Sequence, residues 1–345
     1  MTKVFSNVAL GLCIAINLAA CGGGGGGSST ASNTPAGGTI PPASLAALST
    51  SNQTVASQDV ASTAIGLFST SQYALGAVGS NEYSLYNTAF THLNQLAVYM
   101  ADAQANATAT GAVQSVSRNC SYGGSFTASA TDADNSQTVS TGDSIGINFS
   151  SCNEGSGAVT GALSFHIDSL NGTYGSSPSN VSVTMTFGNL GVNAAAYSGA
   201  INGSITVAGA RTGTNALSQT LSTNSLSVSA TYGNVTRSRT LTGYSATETR
   251  TPDATYTYLS RYSVAGTLTS TGFAGTKAVS FSTPTMFIRR ATEAYPYSGA
   301  LLMSGASNTA LRMTALSNAV VQLDLDANGD GTYESTSTVG WNTLL

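Results

Sequence analysis

From about residue 118 onward the chain repeats one pattern, an apolar residue followed by a small polar one and then another apolar one. Ile145, Ile147 and Phe149 alternate with Ser144, Gly146 and Asn148. Leu163, Phe165 and Ile167 alternate with Ser164, His166 and Asp168. The same period of two runs through Val181 to Phe187, Leu226 to Tyr232 and Val321 to Asp326. It places one set of side chains on each face of a strand, one dry and one wet. That is the signature of half-buried antiparallel strands. Asn171-Gly172, Asn202-Gly203 and Asn328-Gly329 are hairpin-turn dipeptides. A small residue and a glycine also recur in Thr160-Gly161, Ser198-Gly199, Ala265-Gly266 and Ser298-Gly299, and read as marks of strands that begin after a turn. Roughly a dozen strands in succession predict a mainly β fold, an antiparallel meander over residues 111–345.

A meander with one apolar face needs a cover, and residues 53–108 supply a different period. Val60, Ala64 and Leu67 fall on one helical face, with Ala61, Ile65 and Phe68 beside them. After Gly76 and Gly79, Tyr83, Tyr86, Phe90, Leu93, Ala97 and Met100 keep a spacing of three to four, with Ser80 or Asn81 as a cap. We expect an N-terminal α-helical segment over 51–110, packed on the sheet as core. Three arrangements compete: a two-sheet sandwich, a curved half-barrel holding the helices, and a closed barrel. A transmembrane barrel also alternates, but the chain lacks that class's terminal aromatic.

Ahead of the helical segment stand Lys3, an apolar run from Val8 to Ala20, and Leu18-Ala19-Ala20-Cys21. The run is too short to span a bilayer and suits a signal-peptide core. These four residues resemble a bacterial lipobox at every position. The resemblance implies a signal peptide over 1–20, a diacylglycerol thioether on Cys21, and cleavage before Cys21. Several acyl chains hold a protein firmly on a membrane without spanning it. Gly22 after the cysteine implies the outer membrane, with the periplasmic and surface faces both open. Residues 21–50 contain Gly22 to Gly27 and then Ser, Thr, Asn, Pro and Ala, a composition that makes a flexible tether.

Charged residues make up 8% of the chain, and Lys277 is the sole lysine after the signal. Without clustered Lys and Arg to neutralise phosphates, nucleic acid is excluded as a partner. Cys13 leaves with the signal. Cys120 and Cys152 remain as an even pair in an oxidising compartment, where a disulfide is expected.

The densest chemistry lies in Asp324, Asp326, Asn328, Asp330 and Glu334, which puts four carboxylates into eleven residues. D-x-D-x-N-G-D-G resembles calcium loops of the EF-hand and dockerin type, in which oxygens at positions 1, 3 and 5 surround a tight glycine turn. Two departures stand out. Position 12 is Ser335, with Glu334 one residue early, and the flanks read as strands. A metal-free hairpin turn of Asp, Asn and Gly has the same sequence. Gly142-Asp143-Ser144-Ile145-Gly146 fits G-x-S-x-G and resembles a GDS-type esterase block. Strand residues follow it where a nucleophile elbow needs a helix. His166 and Asp168 share the wet face of one strand, and His92 sits at the edge of a helical stripe. Tyr256, Tyr258 and Arg261 offer a glycan or protein platform, or plain cross-strand packing. The preferred reading is a non-enzymatic envelope lipoprotein, a structural or binding module for a glycan, a lipid or another envelope protein. Two alternatives stand beside it: lipid handling in a cavity between sheet and helices, and a serine hydrolase using Ser144.

Overall fold

A computed structural model describes residues 44–68, 114–131, 133–134, 140–155, 157–172 and 177–345, apart from 196 and 233. The residues read as a lipobox (18–21) and as a tether (up to 43), the 83–100 stripe and His92 lie outside the described residues. The chain opens with helix α1 (Gln53–Val60), which runs on into a π-helical turn over Ala61–Ile65. Strands β1 (Gln114–Asn119), β2 (Ser125–Thr131), β3 (Ser144–Asn153), β4 (Ala158–Gly172), β5 (Ser179–Asn193), β6 (Tyr197–Gly213) and β7 (Ala216–Tyr232) follow. After them come β8 (Val235–Asp253), β9 (Thr257–Ser270), β10 (Lys277–Arg290) and β11 (Ser298–Ser304). A 3-10 turn (Ala306–Asn308) precedes β12 (Ala310–Ala315), β13 (Val320–Asp326), β14 (Ser335–Gly340) and the short helix α2 (Trp341–Leu344).

The expected meander is present in its simplest form. All 14 strands form one open sheet in chain order, each antiparallel to the next. The sandwich is therefore replaced by a single continuous sheet. Among the described residues no helix is long and apolar enough to cross a membrane.

The strands are longer than the sequence punctuation suggested. β8 has 19 residues, about 60 Å of extended chain. Asn202-Gly203, expected as a turn, lies inside β6. Gly203 takes φ +125°, the pairing with β7 slips between Gly203 and Thr206, and a Cβ would stand 2.4 Å from the Ser225 carbonyl oxygen. The glycine is a bulge, which bends and twists a strand without ending it. Thr160-Gly161 does the same within β4, and Ala265-Gly266 lies within β9. Ser198-Gly199 and Ser298-Gly299 do stand at strand starts.

One face of the sheet is the core. Phe187, Leu190, Leu241, Tyr244, Val264, Phe287, Leu301, Leu323 and others join one buried cluster with Ala56, Val60, Ala64, Ile65 and Phe68 of the helical segment. The π-helical turn and α1 pack on β8 and β9. A π turn frees backbone carbonyls from the helical pattern, and the Tyr244 hydroxyl donates to the Ala64 carbonyl at 2.6 Å. From Phe68 a file of rings crosses the core, Phe68 on Tyr262 at 5.0 Å, Tyr262 on Phe287 at 5.4 Å and Phe287 against Trp341 at 6.0 Å. The opposite face is hydroxylated. Ser117 pairs with Thr127, Thr184 with Thr206, Ser227 with Thr240 and Thr247 with Ser263, at 2.8–3.1 Å. Cross-strand hydroxyl pairs of this kind stabilise a ladder without charge.

Candidate metal-binding hairpin and buried polar centres

The β13–β14 hairpin is organised by its own carboxylates. Asp326 accepts the backbone N–H groups of Gly329 at 2.7 Å and Gly331 at 2.9 Å. Asn328 Oδ1 accepts Asp330 N–H at 2.8 Å, and Asp330 accepts Thr332 N–H at 2.7 Å. Glu334 reaches back to Ala327 N–H at 2.8 Å. Gly329, at φ +78°, lies so close to the 3-10 turn that a Cβ would fall 2.1 Å from the Ser307 carbonyl oxygen. One carboxylate oxygen each of Asp326, Asp330 and Glu334 lies within 4.8 Å of the others. Oxygens that far apart can share one calcium ion at 2.3–2.6 Å from each, and a carboxylate accepting an N–H keeps lone pairs for a cation. The geometry favours a frame beginning at Asp326, with Asn328 and Asp330 at positions 3 and 5, Gly331 at 6 and Glu334 at 9. Backbone N–H of Thr332 and the Asn328 amide hold the Asp330 carboxyl below the usual carboxylate range.

Asp324 is placed differently. It is buried on the face away from Leu323 and Leu325, where it accepts Arg312 Nη2 at 2.9 Å, Gln322 Nε2 at 2.8 Å and Thr336 Oγ1 at 2.8 Å. Burial pushes its pKa up, but the hydrogen bonds from Arg312, Thr336 and Gln322 outweigh this and hold it below the ordinary range. A depressed folded-state pKa means stability that is complete above the unfolded value and lost as pH falls through the folded one. Asp324→Asn should therefore show a constant deficit against the parent above about pH 5, narrowing below about pH 4. Urea titrations across that range measure it. A deficit unchanged down to pH 2 would contradict the assignment.

Two further carboxylates sit in the core. Asp59 is fully buried and accepts Arg239 Nε at 3.1 Å, a second Arg239 nitrogen and the Ser270 hydroxyl, with Arg237 at 3.5 Å. Glu248, also buried, accepts Gln219 Nε2 at 2.7 Å, Arg250 Nε at 2.7 Å and Ser260 Oγ at 2.6 Å. Arg211, Leu217, Arg250, Ser260 and Arg289 form one transverse row across β6 to β10. Sequence reading assigned none of these residues a buried polar contact. Asp59, the sole charge between residues 44 and 68 and set inside an apolar stripe, was the available signal.

The tyrosine platform is divided between two arginines. Tyr258 lies under the Arg250 guanidinium at 5.0 Å, whereas Tyr256 and Tyr297 flank Arg290 at 4.6 and 4.1 Å. Thr257, at φ +70°, interrupts the alternation between the two tyrosines. Arg261 donates to Thr251 Oγ1 at 3.1 Å. Ser144 opens β3, so the G-x-S-x-G segment leads into a strand, and Asp143 is occupied by Ala133 N–H and Ser140. His166 stands directly opposite Ser144 on β4. No hydrogen bond joins Ser144, His166 and Asp168 to one another. Asp168 instead accepts Ser182 and Thr184 at 3.1 and 2.9 Å. Cys120 and Cys152 form a disulfide between the β1–β2 turn and β3.

These features define an open antiparallel meander packed on an N-terminal helical segment and carrying an acidic hairpin at its C-terminal edge. No protein family, curated protein or solved structure matches the chain.

Proposed function

We propose that the chain is a lipid-anchored outer-membrane protein whose β domain is a non-enzymatic structural or binding module. The carrying observation is Leu18-Ala19-Ala20-Cys21 at the end of an apolar run, followed by the Gly-rich tether. The disulfide is consistent with an oxidising compartment. Against β8–β10 the core face is occupied by Val60, Ala64 and Phe68 rather than open, which favours a structural or binding module over an acyl-binding cavity there. Detergent phase partitioning with labelled palmitate tests the anchor. The parent chain should be labelled and membrane-bound, and Cys21→Ser should lose both properties. A Cys21→Ser chain that keeps label and partitioning would overturn the reading.

Asp326, Asp330 and Glu334, with Asn328, would hold a calcium ion that stiffens the hairpin. Extracellular calcium sites bind in the range of roughly 0.1–1 mM, so about 10 mM calcium should add roughly 1.4–2.7 kcal/mol. Thermal melts with calcium and with chelator should differ for the parent chain and coincide for Asp330→Asn. Coincident curves for the parent chain would remove the site.

A further inference from the structure

The described residues begin at Ser44, and the next few are bonded both to β10 and to the turn between β11 and β12. Leu45 bridges to Ala278 at the start of β10 in parallel orientation. Ala278 N–H donates to the Ser44 carbonyl at 3.0 Å, and Ala46 N–H donates to the Ala278 carbonyl at 2.8 Å. On the other side Ala306 N–H donates to the Ala46 carbonyl at 2.8 Å, and Leu48 N–H donates to Thr309 Oγ1 at 2.9 Å. The Thr309 hydroxyl in turn donates to the Ala306 carbonyl at 2.9 Å. Ala46, Leu48 and Thr309 are all buried. Gly305 makes room for the crossing, because a Cβ there would lie 2.3 Å from the Ala46 carbonyl oxygen. Beyond this gripped stretch, Asp59 is bonded to Arg239 and Ser270, and Gln58 Nε2 donates to the Thr343 carbonyl at 3.1 Å.

We propose that residues 44–48, held between Ala278 and the Gly305–Thr309 turn, form a mechanical clamp that passes tension from the membrane tether into the sheet. The proposal rests on the tether reading given above. Residues 44–46 run alongside β10, so a pull on the tether along that direction loads their hydrogen bonds together and not one after another. The backbone is gripped from both sides, by β10 and by the turn after β11, so peeling from either neighbour leaves the other engaged. The buried Asp59 contact is a second stop behind the clamp.

Single-molecule extension of the mature chain carrying Cys21→Ser tests this, with handles at its N-terminus and at the exposed Asn234 in the β7–β8 turn. In the parent chain the first length gain should include strands of the sheet, with no separate release of residues 44–68. Thr309→Val keeps the side chain's volume but removes both hydroxyl bonds, and should produce an earlier event that frees residues 44–68 while the strands of the sheet stay paired. Gly305→Val, which pushes on Ala46, should do the same. A separate 44–68 release in the parent chain at the force seen for Thr309→Val would overturn the clamp. So would its absence from both variants, which would place the resistance elsewhere in the core. Palmitate labelling of Cys21 scores the tether independently, so failure of the anchor and failure of the clamp are distinguishable.

Discussion

Replacing Asp59 by leucine should cost about 3–5 kcal/mol of folding stability, because it leaves Arg239 buried without its carboxylate. Asp59 is completely enclosed and Arg239 is 8% exposed, so solvent screens their interaction little. Arg237, with 37% of its side chain exposed, should matter far less on its own. The double replacement Asp59→Leu with Arg239→Met should recover most of the loss, since two apolar groups of similar volume can replace a buried ion pair at little cost. Urea denaturation followed by far-ultraviolet circular dichroism measures all three variants. A single Asp59→Leu variant within about 0.5 kcal/mol of the parent, the range of an ordinary surface change, would show that the helix is held by packing alone.

The second large effect is expected at the disulfide. Cys120 and Cys152 are separated by 32 residues in sequence, and both are buried. Closing a loop of that length restricts the unfolded chain by about 3–4 kcal/mol in the chain-entropy description. Cys120→Ala with Cys152→Ala should lower stability by roughly that amount, read as a shift of the urea midpoint at constant slope. The loss should concentrate at β1–β3. Amides there should exchange with solvent faster relative to those of β8–β10, which are covered by the internal helix. Uniform acceleration across the sheet would instead mean that the bond acts on global unfolding.

Much of this architecture was legible because the period of two is a direct consequence of having one dry and one wet face. The alternation of Val321, Leu323 and Leu325 with Gln322, Asp324 and Asp326 both predicts β13 and assigns its faces. Strand length was less legible. An Asn-Gly pair can supply a two-residue turn or a bulge, and at Asn202-Gly203 the choice depends on whether β5 and β7 continue alongside. That is a property of the neighbours and not of the dipeptide. The helix was visible in Val60, Ala64 and Leu67, but its ionic contact was not, since Asp59 meets Arg239 across 180 residues of sequence. In the acidic hairpin the residue types were readable and the frame was not. Asp324 and Asp326 differ by one strand repeat and both pair in the ladder; the neighbours alone separate them, Arg312 and Thr336 engaging the Asp324 carboxylate while the Gly329 and Gly331 N–H groups draw that of Asp326 into the loop.

The strictly sequential strand order has a consequence for how the domain is made. Each strand pairs with the one synthesised just before it, so sheet growth needs only local hairpin closure, the fast kind of β assembly. The internal helix breaks that locality. It is made first, yet its partners on β8 and β9 come some 180 residues later, as the Asp59–Arg239 and Ala64–Tyr244 contacts show. As the chain is made, the apolar face of residues 56–68 must therefore wait for its β8 and β9 partners while β1 to β7 form. The arrival of β8 and β9 is the step that brings its partners, and until then those apolar side chains lack the contacts they make in the finished core.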